Sequence, residues 1–268
     1  MIGRVVNRIR QPILAKLRPG NVVMFHIGRC GSTVLGSLLD QHPQIEWAGE
    51  FYSRLFSQWP ADSEGNELRG QMPDDPIRLL RRDMLKAGRS WYGFEMKPFH
   101  LELIGQARES FLAGLESAGF DHFILLDRRN RLRVIISALL AHQNPQKYHL
   151  KDKESPELRK IHVDPETIRI DFQCKSLLDF LQDYDADMAG IRERLAGKHH
   201  LELTYEDHIQ NDPRIAYCEV CRFLEVEPAD TDVALRRTNP FPVRDMIANI
   251  GEVTEVLRGT GFEWMLGD

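Results

Sequence analysis

The order of apolar and polar positions divides the chain into short strand-like runs and longer helical ones. Residues 22–27 (Val22-Val23-Met24-Phe25-His26-Ile27) and 122–126 (His122-Phe123-Ile124-Leu125-Leu126) are almost continuously apolar. Strands covered on both faces of a parallel sheet read this way. Residues 91–96 and 200–203 predict two more strands, and a further one precedes Glu50. Between them apolar residues recur at helical spacing over residues 33–39, 76–87, 101–118, 132–141, 172–195 and 213–224. Strands alternating with helices predict an α/β fold with a central parallel β-sheet flanked by helices on both faces.

No repeat and no compositional break divides residues 21–268, which read as one domain behind a basic segment, residues 1–20. Residues 144–167 are polar and carry Pro145, Pro156 and Pro165. So long a stretch is a lid, a substrate-facing excursion or a solvated loop. The net charge of -5 gives no support to nucleic-acid binding by a basic surface. The charge is uneven, because Arg4, Arg8, Arg10, Lys16 and Arg18 stand in the first 20 residues without an acid. Ile2, Val5, Val6 and Ile9 lie at helical spacing opposite those arginines, up to Pro12. Such a stretch suits peripheral contact with an anionic membrane, docking on its own domain, or a frayed end. The four cysteines are too sparse for a disulfide framework, so a reducing, cytoplasmic setting is expected. No apolar run approaches the ~18–20 residues that cross a bilayer.

The segment Gly28-Arg29-Cys30-Gly31-Ser32-Thr33 joins an apolar strand to an apolar helix. Glycines let the backbone bend and let an anion come close, and a helix N-terminus offers unpaired N–H groups to it. Ser32 and Thr33 add hydroxyls, and Arg29 adds a permanent charge. A Walker-type loop needs Lys directly before the hydroxyl residue, where Gly31 stands, so an ATPase or GTPase is disfavoured. Cys30 as a phosphatase nucleophile needs an arginine six residues on, and position 36 is glycine.

These residues resemble the sulfotransferase family, enzymes that use 3′-phosphoadenosine-5′-phosphosulfate. Arg29-Cys30-Gly31-Ser32-Thr33 matches the family's basic-x-Gly-Ser/Thr-Ser/Thr loop, with Arg as in bacterial, carbohydrate-type members. The resemblance implies a P-loop-like three-layer architecture with cofactor contacts from Gly28, Arg29, Cys30, Gly31, Ser32 and Thr33. It implies a 3′-phosphate site from Arg129 and Ser137, which have the family's spacing, and a nucleotide contact from Tyr205 in Thr204-Tyr205-Glu206-Asp207. The implied reaction moves a sulfuryl group to a hydroxyl or amine of a carbohydrate, glycolipid or small metabolite. No metal is expected, since a phosphosulfate carries less charge than a triphosphate. A kinase-like phosphoryl transferase and a non-enzymatic adenosine-bisphosphate-binding module are the competing readings.

Within that reaction Arg29 stabilises the leaving 5′-phosphate. The general base is Glu50, in Gly49-Glu50-Phe51-Tyr52, or His100, in Lys97-Pro98-Phe99-His100. Glu50 also reads as an ordinary helix-start carboxylate, and His100 as a hydrogen-bonded structural histidine. Lys97 is a candidate contact for the phosphosulfate or an acidic acceptor. Substrate choice is expected to lie in residues 50–120 and 144–198. Cys218 and Cys221 stand one turn apart on an apolar helix and read as core thiols. Phe262, Trp264 and Leu266 are expected to tie the tail to the core.

Overall fold

The computed structural model of the chain describes residues 17–56, 75–143, 150–151, 155–171 and 173–267. The first half runs β1 (Asn21–His26), α1 (Ser32–Asp40), β2 (Ile45–Trp47), α2 (Phe51–Phe56), α3 (Pro76–Asp83), β3 (Trp91–Met96), α4 (Pro98–Leu103), α5 (Arg108–Ser117) and β4 (Phe120–Asp127). The second half adds α6 (Arg131–Gln143), β5 (Ile168–Ile170), β6 (Gln173–Lys175), α7 (Leu177–Leu195), β7 (His200–Thr204), α8 (Tyr205–His208) and α9 (Arg214–Phe223). Five strands pair in parallel in the order β2-β3-β1-β4-β7, and β5 and β6 form a separate antiparallel hairpin.

The alternation within each strand explains the three layers. Along β1, Val23 and Phe25 join Phe94, Phe123 and Leu125 beneath α3, α5 and α7. Val22 and Met24 join Trp47, Ile124 and Leu203 on the opposite face, beneath α1 and α9. Every residue of β1 is buried, and each such apolar side chain contributes about 1.5–3 kcal/mol by leaving water. A third apolar cluster packs α6 against the β5–β6 hairpin, the start of α7 and the C-terminal segment. No described helix is long and apolar enough to cross a membrane.

Two element boundaries and one tail residue differ from the sequence pattern. The helix expected over 101–118 is two, α4 and α5, because the chain turns at Gly105 (φ 64°). The helix expected from residue 172 starts at Leu177, where the Ser176 hydroxyl caps it by accepting the Asp179 N–H, and Gln173–Lys175 before it form β6 of the hairpin. Leu266 is buried and Phe262 packs against the core as expected, with Met265 buried beside them, but Trp264 is 55% exposed. Of the basic N-terminal segment only residues 17–20 are described; there Arg18 bonds Asn21 and the Met84 carbonyl. The amphipathic stretch at 2–9 lies outside the described residues, as do 144–149 and 152–154 of the long polar stretch.

Gly93 in β3 is where the sheet accepts the Trp47 ring. A Cβ there would stand 2.3 Å from two ring atoms and 3.1 Å from Val22 Cγ1. Overpacking of this kind costs about 1–3 kcal/mol, so Gly93→Ala is expected to lower the urea midpoint with an unchanged m-value. An unchanged midpoint would show that the ring moves freely.

Candidate functional site

Because the five strands are parallel, all their carboxyl ends lie on one edge. β1 stands between β3 and β4, so the chain reverses its direction of travel across the sheet there, and such a point opens a crevice at the strand ends. The loop after β1 occupies it. Gly28, Arg29 and Gly31 all have positive φ, 85°, 52° and 85°, in a turn of the kind that gathers backbone N–H groups into an anion-binding concavity. Gly31 must be glycine, since a Cβ would stand 2.7 Å from Ile209 Cγ2.

A buried hydrogen-bond chain holds the loop's first turn. The Gly28 N–H donates to His26 Nδ1 at 3.0 Å, and the Nε2 on the other side of the ring faces Glu95 Oε2 at 3.2 Å. Trp47 Nε1–H donates to the other oxygen of Glu95 at 2.9 Å. β1, β2 and β3 are thereby tied to the loop's start. His26, Glu50 and Glu95 bring ligand-type atoms within 4.8 Å of one another, and Gly28, Trp47 and Lys97 already engage them.

Gly28, Arg29, Gly31, Ser32 and Thr33 line a cleft of about 490 Å³, together with Glu50, Lys97, Ser137 and Tyr205. Cys30 differs from the sequence expectation: its thiol is fully buried in the core beneath the loop, away from the cleft wall. Arg29 Nε donates to Ser137 Oγ at 2.9 Å, joining the loop to α6 across the cleft.

Glu50 stands directly before α2, as a helix-start carboxylate would, but its oxygens serve other partners. Lys97 Nζ lies 2.7 Å from Oε1, and the Ser53 hydroxyl donates to Oε2 at 2.7 Å. Behind Ser53 lies His100: the Lys97 N–H donates to Nδ1 at 3.2 Å, leaving Nε2–H for Ser53 Oγ at 2.8 Å. Burial of Glu50 opposes its ionisation, yet the Lys97 ammonium, the neighbouring His26 and the Ser53 hydroxyl outweigh it and hold the carboxyl at about 2. His100 is fully buried, and burial together with the Lys97 charge pushes it down to about 3. The sequence left the base open between these two. The structure puts Glu50 on the cleft wall and His100 behind it, neutral and out of reach of a bound molecule, so His100 as the base is corrected to a group that orients Ser53.

The cationic wall also differs. Arg129 was expected at the 3′-phosphate, but its guanidinium, 52% exposed, forms a two-pronged bond with Asp207 at 2.6 and 2.8 Å. The Glu206 carboxylate accepts the backbone N–H groups of Arg129 and Asn130 at the same corner. Arg129 therefore secures β4 to α8 and does not line the cleft. The neighbouring Arg128 turns inward: its Cζ lies 4.2 Å from the centre of the Tyr205 ring, and its NH1 donates to the Arg29 carbonyl at 2.8 Å. Arg133 and Arg237 line the same wall. Burial pushes the Arg128 pKa down to about 10 against the pull of Tyr205, and the charges of Arg133 and Arg237 add to the effect. Arg128 and Arg237 each keep a buried Nε–H without a hydrogen-bond acceptor. A buried donor left so costs about 1–3 kcal/mol, and an anion in the cleft relieves it. A run of four arginines between 128 and 133 gave the sequence signal for this wall, though not for which of them turns inward; nothing local marked Arg237.

By sequence, no protein-family model and no curated protein matches the chain. Among solved structures it is similar to a sulfotransferase from Alicyclobacillus acidocaldarius, at 16% identity and a TM-score of 0.46, over 88% of this chain and 90% of that one.

Proposed function

We propose that the protein is a sulfotransferase that uses 3′-phosphoadenosine-5′-phosphosulfate and sulfates a hydroxyl or amine of a small-molecule or glycan acceptor. The observation that carries the reading is the pair of buried, unpartnered guanidinium N–H groups, Arg128 and Arg237, in the cleft that begins at the left-handed loop. One anion-binding site at a helix start and a second at an arginine wall fit a nucleotide charged at two separate positions. The donor supplies an activated sulfuryl group, whose sulfur bonds to the acceptor oxygen as its bond to the 5′-phosphate breaks.

The chain's residues divide the work. The Gly28–Gly31 backbone and the hydroxyls of Ser32 and Thr33 hold the phosphosulfate, and Arg29 stabilises charge on the departing phosphate. Arg128, Arg133, Arg237 and Ser137 hold the 3′-phosphate, for which a guanidinium fork is geometrically suited. Tyr205, with Ile209 beside it, offers an apolar wall to the adenine. Glu50 accepts the acceptor's proton, and Lys97, bonded to Glu50, places a positive charge between the base and the sulfuryl oxygens. Ser53 and His100 fix the Glu50 rotamer.

Thermal-shift titration tests the reading. At ~100 times its dissociation constant a ligand stabilises by ~2.7 kcal/mol. 3′,5′-Bisphosphoadenosine is expected to do so without added metal, with AMP shifting the midpoint far less at equal concentration. Equal shifts from the two would remove the 3′-phosphate site, and a shift from ATP that requires Mg²⁺ would favour a phosphoryl transferase.

A further inference from the structure

Gly28, Arg29 and Lys97 line not only the main cleft but also a second cavity of about 280 Å³. The two spaces therefore meet where the sulfuryl group would lie. The second cavity has an apolar floor of Ile27, Val134, Ala138 and Ile170, and its far side carries Asp171 and Tyr184, with the exposed His142 at its rim. Asp171 opens the turn of the β5–β6 hairpin with φ 52°, a conformation that aspartate and asparagine tolerate better than most residues. Its acidic neighbours on α7 have cations: Asp183 takes Lys175 at 2.6 Å, and Asp187 takes Arg108. Asp171 has no cation partner among the described residues. Burial, with Asp171 and Asp187 adding to it, holds the Tyr184 phenol well above its ordinary pKa, so it stays a neutral donor.

We infer that this cavity is the acceptor site, and that the acceptor is a single-ring-sized hydroxyl compound carrying a cationic amine, with its hydroxyl at Lys97 and Glu50 and its ammonium at Asp171. The inference rests on the sulfotransferase reading. Its size argument is direct: 280 Å³ is just below the ~300–1,000 Å³ of small-molecule pockets, which limits the acceptor to one ring and a short arm. Its charge argument is the contrast between the spaces. The main cleft is lined by six basic residues and Glu50, whereas the side cavity ends on an unpaired carboxylate. Arg29 and Lys97 stand at the end shared with the main cleft, so the discrimination falls at the far end: an anionic group there meets the exposed Asp171 carboxylate, whereas an apolar ring with an ammonium satisfies both the floor and Asp171.

Three matched probes test it: tyramine (cationic), 4-ethylphenol (neutral) and 4-hydroxyphenylacetate (anionic), titrated calorimetrically into the full chain saturated with 3′,5′-bisphosphoadenosine. Tyramine is expected to bind about fivefold more tightly than 4-ethylphenol, the scale of one partly exposed ion pair, and 4-hydroxyphenylacetate most weakly. Asp171→Asn keeps the left-handed turn and is expected to abolish the preference for tyramine while leaving nucleotide affinity unchanged. Asp183→Asn, outside the cavity, is expected to preserve the ranking. Equal affinities, no tyramine binding, or an Asp171→Asn protein that still prefers tyramine would overturn the inference while the sulfotransferase reading stands. Failure of the bisphosphate itself to bind would overturn both.

Discussion

Glu50→Gln is expected to slow sulfuryl transfer by about 10²–10⁴-fold, the usual contribution of a positioned general base, with little change in nucleotide affinity. Gln has nearly the same shape and still accepts the Ser53 hydroxyl, so the loss falls on proton transfer. The pH dependence carries the sharper test. Glu50 must be ionised to act, and with its carboxyl held at about 2 its protonation removes kcat/KM only in strong acid. Lys97 is the largest influence opposing burial there, with His26 and Ser53 adding to it, so in Lys97→Met the carboxyl rises from its depressed value. Activity in that variant is then lost as pH falls through this higher value, and the acid limb moves toward neutrality. The stability contribution has the same sign: a depressed carboxyl stabilises the fold above its unfolded-state pKa and loses that contribution as pH falls toward about 2. A base at about 2 is weak; on the proposed reading an anionic donor beside Lys97 is expected to compete with Glu50 for its ammonium, so that the carboxylate gains basicity when the donor binds. Full activity in Glu50→Gln, or identical acid limbs in wild type and Lys97→Met, would remove Glu50 as the base.

The central sheet was legible because its strands are short, apolar and bounded by polar turns; β1 and β4 read as buried strands and are buried. The loop after β1 was legible for the same local reason, since its glycines, hydroxyls and arginine lie within one turn. What the sequence hid depends on partners far along the chain. Whether Arg128 or Arg129 turns inward is decided by Glu206 and Asp207, 76 to 78 residues away, which take the Arg129 guanidinium and the N–H groups at its corner. His100 stayed a candidate base beside the preferred Glu50 because nothing near it in sequence shows that Ser53 stands between them. β6 was absorbed into a helix because residues 172–178 hold enough apolar positions to extend the pattern of α7 backwards. Arg237 lies in an irregular stretch without any period, and only the folded cleft brings it beside Arg128.

Arg128→Ala is expected to weaken 3′,5′-bisphosphoadenosine binding by roughly 30-fold or more, since removing one partner of a buried charged pair costs about 2–5 kcal/mol. Arg129→Ala, by contrast, is expected to leave nucleotide affinity unchanged and to cost the fold only the ~0.2–1 kcal/mol of an exposed ion pair. AMP separates a lost phosphate contact from a damaged site. Arg128 also braces the loop through the Arg29 carbonyl and lies against Tyr205, so its removal has a structural component that weakens AMP and the bisphosphate alike. The contact to the 3′-phosphate is whatever loss the bisphosphate shows beyond that of AMP. Arg128→Lys sharpens the distinction: it keeps the charge but gives up the planar fork and the stacking, and should recover part of the affinity. Arg237→Met removes the second unpartnered donor without touching the loop, so its loss is expected to be confined to the bisphosphate. If Arg129→Ala lost as much bisphosphate affinity as Arg128→Ala, Arg129 would have to leave Asp207 when ligand binds, and the assignment of the inner wall to Arg128 would be wrong.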